Sequence, residues 1–125
     1  MKPSHSRDLI GAWRLVSHES QLTGQPWKSW GKNPRGLLIY TAEGAMSVSL
    51  NKDVEGNPFD AILFYAGRFE LAAPGKVLHH VDYASDLARV SQTLPRDADI
   101  EGDVLTLSAE QPPGRVVRVR WEKVR

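Results

Sequence analysis

The chain has no cysteine among its 125 residues, and that absence removes several chemistries at once. Disulfides, thiolate nucleophiles and Cys-ligated zinc or iron–sulfur centres are excluded, so the chain is held together by packing alone. Charge of one sign is also lacking, because 16 basic and 15 acidic side chains leave a formal net charge of +1. That balance offers no electrostatic case for nucleic acid or an anionic membrane as partner. No apolar run approaches the length of a membrane-spanning helix, and Met1 to Asp8 lacks the apolar stretch of a secretory signal, so the expected location is cytoplasmic. No glycine-rich phosphate loop opens a helix, which removes the usual ground for nucleotide chemistry, and no cofactor is expected.

What is present is short-period alternation. With 41% hydrophobic and 25% charged residues the composition is that of an ordinary globular protein, and the length suits a single domain over 1–125. Apolar residues at helical spacing are almost missing, whereas segments near 12–20, 35–41, 45–51, 62–71, 76–83, 88–97, 103–109 and 115–124 alternate as half-buried strands do. Between them lie turn-forming stretches such as Thr41-Ala42-Glu43-Gly44, Ala72-Ala73-Pro74-Gly75, Glu101-Gly102-Asp103 and Gln111-Pro112-Pro113-Gly114. Links this short make sequential strands antiparallel neighbours, since a parallel crossover needs a longer connection. The expected fold is therefore all-β, an eight-stranded up-and-down antiparallel barrel, preceded by one helical turn capped by Ser6. Two longer connections, 21–34 with Trp27 and Trp30, and 52–61, are placed to cover a barrel mouth.

Several stretches resemble a known family: Leu9-Ile10-Gly11-Ala12-Trp13-Arg14-Leu15-Val16-Ser17, Pro34-Arg35-Gly36-Leu37-Leu38-Ile39-Tyr40-Thr41, Gly44-Ala45-Met46-Ser47-Val48, Tyr65-Ala66-Gly67-Arg68-Phe69-Glu70, Val77-Leu78-His79-His80-Val81, Asp103-Val104-Leu105-Thr106-Leu107-Ser108 and Trp121-Glu122-Lys123. In this order and spacing they are similar to the bacterial and fungal lipocalin-like domain proteins, small calycin-type barrels. The resemblance implies the barrel and a role in handling small molecules, with no molecule named. Gly11-x-Trp13 also looks like the opening Gly-x-Trp of lipocalins, in which the Trp closes the barrel base under a basic residue of the last strand. Arg118 or Arg120 is the expected partner here.

Alternation assigns an inner face to each strand. It turns inward Met46, Val48 and Leu50; Tyr65 and Phe69; Val77, His79 and Val81; Leu105 and Leu107; and Val117, Val119 and Trp121. On the sixth segment, Val90 and Leu94 bring Gln92 and Arg96 with them. On the first, Trp13 and Leu15 bring Ser17 and Glu19, although the opposite phase of Val16 and His18 is nearly as good.

A polar set of Ser17, Glu19, His79, Gln92 and Arg96 cannot sit unpaired in a dry core. Two arrangements satisfy it: an internal network pairing Arg96 with Glu19 and Gln92 with His79, or a wet pocket that orients a ligand bearing a carbonyl, carboxylate or hydroxyl. Fraying at strand ends is the third possibility.

Adjacent His79 and His80 face opposite sides of a strand and cannot share a metal ion, so no metal site is expected. Three functions follow from these residues. The first is binding of a small apolar or amphipathic metabolite by Trp30, Tyr40, Met46, Tyr65, His79, Gln92 and Arg96. The second is a cofactor-independent isomerase, cyclase or hydratase with His79 as acid–base and Arg96 on a developing oxyanion. The third is an interaction module with a filled core.

Overall fold

A computed structural model describes residues 1–31, 33–51 and 62–125. Nine strands are formed: β1 (Gly11–Leu22), β2 (Lys28–Ser29), β3 (Arg35–Tyr40), β4 (Ala45–Asn51), β5 (Ile62–Ala73), β6 (Lys76–Ala84), β7 (Thr93–Glu101), β8 (Val104–Gln111) and β9 (Arg115–Lys123). From β3 onward each strand pairs antiparallel with the next. β1 pairs with both β3 and β9, so eight strands close into a barrel with β2 as a short addition on β1. Closure leaves the eight strands without free edges, which is how a cysteine-free chain satisfies its backbone polar groups. Among the described residues, helical structure consists of two three-residue 3-10 turns, Ser6–Asp8 and Leu87–Arg89, and no helix is long and apolar enough to cross a membrane.

One end of the barrel is a packed base. The core gathers Leu9, Trp13, Leu38, Tyr40, Met46 and Phe69 with inward residues of β6 to β9. The first 3-10 turn is led by His5, whose amide donates to Asp8 Oδ2 at 3.2 Å, and not by Ser6 as expected. The turn delivers Leu9, fully buried, into the base, where the Leu9 carbonyl accepts from Trp13 Nε1 at 2.9 Å.

The basic partner of Trp13 is also corrected. Lys123 Nζ lies 4.6 Å from the Trp13 ring centroid and donates to the Ile10 carbonyl at 2.6 Å. Arg118 and Arg120 instead face outward and bind Glu19. Residue 11 favours glycine because its φ is +137°, and a Cβ there would stand 2.7 Å from Lys123 Nζ and displace the lysine from Trp13. Lys123→Ala removes one charge-assisted hydrogen bond and a cation–π contact, and should cost about 1–2 kcal/mol. Urea unfolding at neutral pH checks this, with an unchanged midpoint as the contrary result.

Of the irregularities in the strands, two bear on the expected inner faces. Between Leu15 and Ser17 the register against β9 slips by one residue, a bulge at Val16. Trp13 and Leu15 point inward before it, whereas His18 and Ser20 line the interior after it. Ser17 and Glu19 are thereby carried to the other face, which overturns their expected place inside. The segment expected as a strand over 88–97 begins with the 3-10 turn, and Ser91 adopts a left-handed φ of 69°. Alternation cannot run through such a residue, so the strand starts only at Thr93.

Candidate functional site

Above the packed base the barrel opens into a cavity of about 380 Å³. Its walls include Val48, Leu50, Leu63, Leu107, Val119 and Trp121. The connection from β1 to β3 partly covers it: Lys28 and Ser29 of β2 pair with β1, the Trp30 amide donates to the His18 carbonyl at 2.8 Å, and both side chains line the cavity. Their rings are 5.1 Å apart. Trp27 lies elsewhere, 3.8 Å beneath the Arg118 guanidinium.

The floor of the cavity is a polar triad. His79 has no solvent exposure and its ring joins two tyrosines: Tyr40 Oη is 2.6 Å from Nε2 and Tyr65 Oη is 2.8 Å from Nδ1. Burial first, then the positive charges of Arg96 and His80, push the His79 pKa down to about 3, so the imidazole is neutral near pH 7. Burial also raises both phenols, Tyr40 well above its usual value, while Arg96 and then Arg89 pull Tyr65 partly back.

A neutral imidazole donates through one nitrogen and accepts through the other. Among the described residues the Tyr40 hydroxyl has His79 as its sole hydrogen-bond partner, so its proton is satisfied only if Tyr40 donates to Nε2. Nδ1–H then donates to Tyr65, whose own hydroxyl proton remains available beside the cavity that Tyr65 lines. Fully satisfied behind and open in front, this array presents one hydroxyl donor to an occupant.

The sequence-derived candidates divide accordingly. Trp30, Tyr65, His79 and Arg96 line the cavity. Tyr40 and Met46 belong to the packed base, Tyr40 holding His79 from behind and stacking 4.5 Å from Phe69. Gln92 is exposed ahead of β7 and is not among the described residues that line the cavity. The expected internal pairs do not form: Glu19 binds Arg118 and Arg120 outside, Arg96 donates to the Pro95 carbonyl, and His79 binds the tyrosines. His80 faces outward onto Glu70 and Thr93, away from His79. The connection 52–61 lies outside the described residues.

Residues not anticipated include His18, Ser20, Lys28, Arg89 and Arg115 on the cavity wall. His18 carried a signal, the competing phase of β1. Arg89 carried another, since Asp86 caps the turn ahead of it by accepting from the Ala88 amide. Trp121 Nε1, buried on a residue of the wall, has no hydrogen-bond partner among the described residues.

No curated protein matches the chain. Among solved structures it is similar to a redesigned β-barrel, with 7% identity over 100% of both chains and a TM-score of 0.56, which is a likeness of fold. Residues 10–58, the span from the barrel-closing Trp13 through β3 and β4, match the model of the lipocalin-like domain, and the closed β-barrel that the later strands complete is consistent with a lipocalin-like family.

Proposed function

We propose that the barrel binds one small amphipathic molecule in its cavity. The observation that carries this reading is the combination in one space: about 380 Å³ of volume, an aliphatic and indole wall, and polar groups converging at its floor. Ligand pockets run from roughly 300 to 1,000 Å³ and are built this way, so the occupant is small. A filled-core module is disfavoured by that volume and by the absence of an Arg96–Glu19 pair. Direct acid–base catalysis by His79 is disfavoured too, because both of its nitrogens are engaged by tyrosines and its pKa is near 3.

The neutral dye N-phenyl-1-naphthylamine tests the reading, since its fluorescence rises in an apolar site. Ala109, half-buried on β8, lines the cavity. Ala109→Phe places a ring in that space and should weaken dye binding about tenfold or more while the melting temperature changes little. Equal dye binding by the two proteins, or none by the parent, would reject cavity binding.

A further inference from the structure

We infer that the cavity takes an anionic amphiphile, a molecule with an apolar body and a carboxylate. This deepens the cavity-binding reading and rests on it. Among the described residues that line the cavity are four cationic side chains, Lys28, Arg89, Arg96 and Arg115, and no aspartate or glutamate.

The outer face of the barrel is treated differently. There Arg14 pairs with Glu122, Arg68 with Asp82, Lys76 with Asp97, Arg118 and Arg120 with Glu19, and Arg125 with Asp103. Among the described residues none of the four lining cations has an ion pair; Arg96 donates to the Pro95 carbonyl and stands within hydrogen-bonding reach of the Tyr65 hydroxyl. Uncompensated like charges around a partly enclosed space repel one another and concentrate anions within it.

The positions of the cations decide which anion is favoured. Arg96 and Arg89 are half-buried and act electrostatically on Tyr65, whereas Lys28 and Arg115 are exposed at the rim. The Arg96 guanidinium beside the Tyr65 hydroxyl proton offers converging donors to the oxygens of a carboxylate. The aliphatic wall of Leu50, Leu63 and Leu107 receives the rest of the molecule.

Displacement of the same neutral dye by decanoate, 1-decanol and methyl decanoate at pH 7.5 and low salt is the test. Decanoate should displace at a concentration at least about tenfold below that of the alcohol or ester, the scale of a charge-assisted hydrogen bond. Added salt should narrow the gap. Arg96→Gln should remove most of the preference for the acid, read as the ratio of decanoate to decanol displacement measured on the same variant. Arg89→Gln, on the surface turn, should reduce the preference without touching the core. If the dye binds and the three competitors are equivalent, or if both variants retain the preference, the anion inference is overturned and cavity binding stands. If the dye does not bind at all, the cavity reading falls and this inference with it.

Discussion

Gly67→Ala should destabilise the protein by about 3 kcal/mol or more, the upper range for overpacking a closed interior. A Cβ built at Gly67 would lie 2.0 Å from the His80 carbonyl oxygen and 2.9 Å from the Asp82 amide nitrogen. Both are backbone atoms of the neighbouring strand, so no side-chain rotation relieves the clash. The close approach arises because the β5–β6 register slips here: Ala66 faces Tyr83 and Gly67 faces Val81, leaving Asp82 as the extra residue. Moving β6 away would also disturb His79, two residues before Val81, and with it both tyrosine hydrogen bonds. Gly102→Ala is the control. Its backbone is left-handed at φ +58°, yet nothing lies within 4 Å of the added carbon, so only conformational strain of about 1 kcal/mol is expected. Comparable urea midpoints for the two variants would show that the approach at Gly67 is not tight.

The second large effect is acid sensitivity centred on His79. Its folded pKa of about 3 lies below the value near 6.5 of an unfolded histidine. Between those values the unfolded chain binds a proton that the folded chain refuses. Stability is therefore complete above about pH 6.5 and declines as the pH falls toward 3, by at most about 1.4 kcal/mol per pH unit. From pH 6.5 to 5.0, where carboxylates of ordinary pKa stay mostly ionised, this amounts to roughly 1.5–2 kcal/mol. His79→Gln retains an acceptor and a donor for the two tyrosines but cannot titrate. Urea unfolding across that interval should show a clearly flatter pH dependence for the variant. Parallel curves would mean that His79 takes up its proton without cost to the fold.

Much of the barrel was legible because period-two alternation is a local property. β3, β4, β6 and β9 start and end within about a residue of where Leu38, Met46, Val77 and Trp121 place their inner faces. Short turns then made neighbours in sequence neighbours in space, and Tyr65, His79 and Arg96 fell on the correct side. The errors sit where a single residue shifts the phase. Val16 is spent on a bulge that only the pairing of β1 with β9 reveals, so Glu19 turned out and His18 turned in. Ser91 is left-handed, so Gln92 never joined the strand.

Composition and alternation were enough for a cysteine-free, antiparallel, closed sheet with His79 inside, since each strand's apolar phase can be read without knowing its partners. Partnership between charges could not be read that way. Whether Arg96 meets Glu19 or a cavity, and whether Lys123 or Arg118 covers Trp13, depends on register between strands about a hundred residues apart in the chain. A one-residue slip in that register reverses the face of every side chain beyond it. Tertiary pairing therefore decided which polar groups were neutralised on the outside and which cations were left around an open interior.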